Sequence, residues 1–118
     1  MGARGPNPYT LCPDGSALIY LTKGRVCVVD QGDLEQVLTF RWCTIVAKRA
    51  VYAGSRAGKG AKLILMHRFL MGNPPDQEVH HKDNDTLNNR RDNLEVLSHA
   101  EHKLHHMDER VHLRWGFN

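Results

Sequence analysis

No stretch of the 118-residue sequence approaches the roughly 20 consecutive apolar residues of a membrane-spanning helix, so no span is expected. Cysteine is scarce and odd in number. Cys12, Cys27 and Cys43 form no C-x-x-C pair, which argues against a disulfide framework and against a cysteine zinc site, and for a reducing, intracellular compartment. The opening MGARGPNPYT lacks the charged and then apolar layout of a secretory signal, so a protein that is not secreted is expected. Aromatic residues make up 7% and apolar residues 41%, which allows a thin packed core. This length supports one domain, or one small domain with a satellite. The most informative absence is local: from Gln36 to Pro75 there is no acid, while Arg41, Lys48, Arg49, Arg56, Lys59, Lys62 and Arg68 all fall there. A formal charge of only +3 therefore conceals a basic middle between acidic ends. Such a field suits a phosphate backbone, and equally a solvated face with no partner.

Histidine is what the sequence has in excess. Seven of its eight histidines lie between His80 and His112, neither consecutive nor terminal as a tag would be. Imidazole titrates near neutrality and is a common metal ligand, so this density points to chemistry.

Residues 1–16, rich in Gly and Pro, read as an irregular arm. Ala17 to Leu21 and Arg25 to Val29 read as strands joined at Thr22-Lys23-Gly24. A helix start at Asp30 to Asp33 leads into Leu34, Val37 and Leu38, spaced for a short amphipathic helix to about Phe40. Trp42 to Ala47 and Ala50 to Ala53 read as a second hairpin around Lys48-Arg49. The GSRAGKG stretch from Gly54 to Gly60 reads as a flexible basic loop, Lys62 to Leu65 as a third strand, and Met66 to Met71 as a short helix ended by Gly72-Asn73-Pro74-Pro75. Phe40, Trp42 and Phe69 are assigned to the core.

The last third spells strand (Val79 to Lys82), polar loop (Asp83 to Asp92), strand (Asn93 to Leu97) and helix. Ser98-His99-Ala100-Glu101 is a capping box. Ala100, Leu104, Met107 and Val111 then make one apolar stripe. At about 100° per residue, His102 and His106 share the opposite face one turn apart, a spacing suited to one metal ion. His80 and His81 are adjacent on a strand and point to opposite faces. One can ligate while the other takes a proton, as metal-assisted hydrolysis requires.

His80-His81, Asn93, His102 and His106 together resemble the HNH endonucleases, the ββα-metal or His-Me finger group, especially its colicin-type members with a third histidine. The string from Val79 to His102, VHHKDNDTLNNRRDNLEVLSHAEH, is also similar to phage and intron-associated homing endonucleases. The resemblance implies an α+β fold in which a small N-terminal β-rich part packs on a C-terminal ββα-metal (HNH) module. The expected division is 1–16 as the arm, 17–66 as a basic DNA-contacting part and 67–118 as the nuclease module. It implies His81 as general base and His80, His102 and His106 as ligands of one divalent ion (Zn, Mn, Ni or Mg). That ion would contact a non-bridging and the leaving 3′ oxygen of the scissile phosphate. Asn93 would not touch metal; its amide would bind backbone across the long loop and hold the strand of His81. In-line attack would leave a 5′-phosphate and a 3′-hydroxyl. If the protein is phage-encoded, its expected location is the host cytoplasm.

DNA contact is assigned to Lys48, Arg49, Arg56, Lys59 and Lys62, with Arg90 a further candidate. Arg90 and Arg91 fit phosphate contacts or salt bridges to Asp92 or Glu95. Asp83 and Asp85 fit extra ligands or, as loop acids more commonly do, caps of backbone N–H groups. His67-Arg68 resembles a phage-family element, and His67 equally fits a packed residue. His99 could stand behind the ligands; His105 is expected to face solvent. Against the DNA endonuclease stand a non-catalytic DNA-binding protein with a structural metal site, and a toxin-type nuclease silenced by an immunity partner, which would need a translocation region. One active site cuts one strand, so double-strand cleavage would imply a homodimer or two encounters.

Overall fold

The computed structural model describes residues 6–57 and 62–98. Among these the protein is a mixed α+β structure made mostly of strands, with two short α-helices. The expected final helix, with its capping partner Glu101, and residues His99, His102, His105, His106 and Lys59 lie outside the described residues.

β1 (Tyr9–Leu11), β2 (Ser16–Tyr20) and β3 (Val26–Asp30) form an antiparallel sheet in that order. Part of the arm expected to be irregular is therefore an edge strand. Its side chains are exposed, which is why no period-2 apolar pattern betrayed it. Upstream, Asn7 imitates a strand partner for Trp42: its amide accepts the Trp42 N–H at 2.7 Å and donates to the Trp42 carbonyl at 2.7 Å. In the β2–β3 hairpin Lys23 and Gly24 both have positive φ (59° and 70°), the geometry of a tight I′-type turn. Ile19 pairs with Cys27 and Ala17 with Val29, so strand alternation puts all four on the buried face.

A 3-10 turn (Gln31–Asp33) leads into α1 (Leu34–Val37), close to the expected position. Its carbonyl at Val37 accepts the Trp42 indole N–H at 2.7 Å, so the fully buried Trp42 keeps its polar atom satisfied. Phe40, Trp42 and Phe69 meet edge to face or tilted, with centroids 5.3–5.9 Å apart, as core residues.

β4 (Cys43–Val46), β5 (Val51–Ala57) and β6 (Lys62–Leu65) form the second antiparallel sheet, with β5 central. Gly54 thus belongs to a strand and not to a flexible loop. A Cβ there would sit 2.5 Å from Ile45 Cγ1, so this glycine answers a close approach between neighbouring strands.

α2 (Met66–Leu70) ends in a Schellman motif: the Gly72 N–H reaches the Phe69 carbonyl and the Asn73 N–H the Arg68 carbonyl, with φ of +85° at Gly72. The last pair of strands, β7 (Gln77–His81) and β8 (Leu94–Ser98), is antiparallel, with His81 opposite Leu94. One hydrophobic cluster runs through the whole assembly, from Ile19 and Val29 through Trp42, Ala53 and Met66 to Val79 and Leu94. Among the described residues no helix is long and apolar enough to cross a membrane.

Candidate active site

The site is built on β7, and three devices hold that strand. At its start, the Arg68 guanidinium donates to the carbonyls of Pro74 (2.6 Å) and Gln77 (2.8 Å), tying the end of α2 to the first residue of β7. At its end, the loop 82–93 is folded by its own polar side chains. The Asp83 carboxylate accepts the Asp85 N–H at 2.8 Å and the Asp85 carboxylate accepts the Leu87 N–H at 3.0 Å, two Asx turns. Both loop acids are therefore engaged as caps of backbone N–H groups. Although desolvation pushes it up, the Asp83 carboxyl is held below its ordinary range by hydrogen bonds from Asn88, the Asp85 backbone and Asn93.

The third device is Asn93. Its Oδ1 accepts the Asp83 N–H at 3.1 Å, its Nδ2 donates to Asp83 Oδ1 and to the Asn88 carbonyl at 2.9 Å each, and its own carbonyl accepts the Lys82 N–H at 2.8 Å. The two ends of the loop are thereby clamped directly beyond His81.

The loop is also stitched to the first two sheets. Val28 of β3 donates to the Leu87 carbonyl (2.9 Å) and accepts the Asn89 N–H (2.7 Å), and the Thr86 hydroxyl donates to the Val51 carbonyl. Arg90 pairs with Asp30 at 2.9 Å and Asp14 at 3.3 Å, and Arg91 with Asp33 at 2.9 Å. The partners expected from sequence proximity, Asp92 and Glu95, are replaced by acids 58 to 76 residues upstream. Arg90 is thus paired with acids of the first sheet and does not line the cleft described next.

β7 forms one wall of a cleft of about 530 Å³ that gathers Arg49, Tyr52, His67, Arg68, His80 and His81. His80 and His81 are 8% and 4% exposed. His81 Nε2 lies 2.8 Å from Asn89 Oδ1, and its ring centroid lies 4.7 Å from that of His67, which stacks in turn on Tyr52 at 5.6 Å. Burial pushes the His81 pKa below its ordinary value, against the opposing pull of the Asn89 hydrogen bond and the Asp83 and Asp85 charges. His67 is pushed down to about 3 by burial first and by the His81 and Arg68 charges next. Both rings are neutral at pH 7, so His81 is available as a proton acceptor rather than committed as a cation.

Residues 65–104 match the HNH endonuclease family model. Over this stretch, about a third of its length, the chain is similar to HNH endonucleases. No curated protein and no solved structure matches the chain. The matched segment begins at the last residue of β6 and takes in α2, β7, the clamped loop and β8, so the cleft lies largely within it. HNH endonucleases act on DNA and use a divalent metal ion.

Of the residues expected to matter, His80, His81 and Arg49 meet in the cleft. Asn93 stands outside its lining, at the root of the loop. Lys48 and Lys62 are exposed and do not line it, and Arg56 lines a separate recess of about 380 Å³ beside Arg41 and Phe40. Among the described residues no three His, Cys, Asp or Glu side chains gather to hold a metal ion. Of the expected ligands only His80 is described; His102 and His106 lie outside the described residues. An imidazole on the cleft wall fits an ion of borderline softness, provided that further ligands come from beyond β8.

Tyr52, His67 and Asn89 are the site residues that sequence spacing did not single out. His67 carried a signal, its resemblance to a phage-family element. Asn89 carried none that separates it from its neighbour Asn88, whose side chain bonds Asp83 instead.

Proposed function

We propose that the protein is a metal-dependent DNA endonuclease that hydrolyses phosphodiester bonds with His81 as general base, leaving a 5′-phosphate and a 3′-hydroxyl. The observation that carries this reading is a neutral, nearly buried histidine fixed on a clamped strand at the wall of a basic cleft, inside an HNH segment. His81 takes the proton of the attacking water, a service worth about 10²–10⁴-fold in rate. Arg49 and Arg68 add positive charge at the same cleft, where a phosphate gaining charge in the transition state is favoured. His80, with His102 and His106, would hold the divalent ion, which supplies charge stabilisation to the reacting phosphate without proton transfer. Asn93 is a positioning residue through the loop bonds described above. Lys48, Arg49, Arg56, Lys59 and Lys62 would contact the DNA backbone, which positions the duplex without reading its sequence.

Plasmid nicking assayed in Mg²⁺, Mn²⁺, Ni²⁺, Zn²⁺ and EDTA, beside metal counted per chain, tests the reading. Ion-dependent nicking abolished by EDTA is expected. Bound metal and DNA with no nicking in any ion would instead identify a DNA-binding protein with a structural metal site.

A further inference from the structure

Four buried side chains form a chain of hydrogen bonds that ends on His81. Cys27 Sγ lies 3.8 Å from Met66 Sδ, Asn89 Nδ2 lies 3.3 Å from the same sulfur, and Asn89 Oδ1 lies 2.8 Å from His81 Nε2. Cys27 and Met66 have no exposed surface, and Asn89 is 1% exposed. Met66, on α2, fixes the direction of the chain. A thioether sulfur accepts hydrogen bonds and cannot donate one. The Cys27 thiol, pushed up to about 12 by burial, keeps its proton and donates to it. The Asn89 amide must then present its NH2 to the sulfur, because the carbonyl oxygen there would meet a lone pair. Its Oδ1 is left facing His81, and an amide oxygen can only accept.

We infer that Asn89 is a positioning residue that holds His81 as the Nε2–H tautomer and so makes Nδ1 the nitrogen that accepts the proton of water. Asn89 is placed for this from outside the HNH segment as well. Its backbone N–H is bonded to the Val28 carbonyl, and Asn88 forms a parallel bridge with Val28, so β3 of the first sheet sets the angle of the amide. The N-terminal sheet thus has a part in the chemistry through Val28 and Cys27, apart from any contact with DNA. The rings of His67 and Tyr52 meet His81 at centroid distances of 4.7 and 6.4 Å, as ring contacts, and Nε2 is hydrogen-bonded to Asn89.

The inference rests on the nuclease reading, and its test separates the two. In the full-length, metal-free protein at a pH where His81 is neutral, long-range ¹⁵N–¹H spectra report which ring nitrogen carries hydrogen, with His81→Ala identifying the resonances. The expected wild-type pattern is Nε2–H. Asn89→Ala is expected to lose that preference and to lower kcat about 10- to 100-fold with DNA affinity unchanged. Asn89→Asp keeps an acceptor towards His81 but sets an oxygen against the Met66 sulfur in place of the NH2, so it is read by the ring pattern alone, and Nε2–H is expected. An Nδ1–H tautomer in the wild type overturns the inference with no variant needed. So does a folded Asn89→Ala that cleaves at the wild-type rate. Wild-type protein that does not cleave overturns the nuclease reading, and the ring pattern then decides the hydrogen-bond chain by itself.

Discussion

The imidazoles of His67 and His81 lie with centroids 4.7 Å apart and planes inclined at 45°, one on the helix after the second sheet and one at the end of β7. Two protonated rings at that distance would repel in a poorly solvated setting, so the pair is built to be neutral. On the proposed function, the same contact is expected both to make the fold sensitive to acid and to leave His81 free to accept a proton.

For stability, the sign follows from His67. Its folded pKa, about 3, lies below the ordinary value near 6.5, so the unfolded chain binds the proton more readily. The contribution of the neutral ring is complete above about pH 6.5 and is lost as pH falls towards 3, at up to about 1.4 kcal/mol per pH unit. His67→Phe, which keeps a ring on Tyr52 but has no proton to take, should flatten the fall. Urea midpoints between pH 7 and pH 4 measure it; an unchanged pH dependence would show that other groups cause the acid loss.

At Gly54 the expected effect is steric. A methyl placed 2.5 Å from Ile45 Cγ1 forces β4 and β5 apart, and Gly54→Ala should cost about 1–3 kcal/mol. Ile45→Ala in the same chain should recover part of that cost. Additive losses in thermal unfolding of the double variant would contradict the close-approach account.

The fold was largely legible where periodicity speaks: β2, β3, β4, β6 and α2 fall within a residue of the expected positions, whereas α1 ends three residues early and β5 runs four residues further. It failed at β1, whose three exposed residues show no alternation, and at Gly54, where a glycine that permits close packing looks identical in sequence to one that permits flexibility. His80, His81 and Asn93 were singled out in the sequence because their spacing repeats a known pattern; the first two line the cleft and Asn93 sits at the root of the loop. Tyr52 and Asn89 were not singled out, because each reaches His81 only through tertiary contacts: β5 must lie beside α2, and β3 must hold the loop. His67, which carried a signal, fitted a packed residue equally well. The partners of Arg90 and Arg91 were missed for the same reason, since no local rule points from there to Asp14, Asp30 or Asp33.

The basic surface makes its own prediction. Replacing Lys48, Arg49 and Lys62 by Ala should weaken DNA binding for every sequence tried. It should also reduce the slope of log K against log salt by about 0.9 for each phosphate that the variant no longer neutralises. Fluorescence anisotropy across a series of salt concentrations measures both. Unchanged affinity and slope would move the DNA to another face of the molecule.

The most direct test of the account is single-turnover cleavage of end-labelled duplex DNA by the wild type and by His81→Ala, with DNA affinity and bound metal measured on the same samples. The account predicts that His81→Ala binds DNA and metal as the wild type does but cleaves at least about 100-fold more slowly. Cleavage by His81→Ala at the wild-type rate would contradict it.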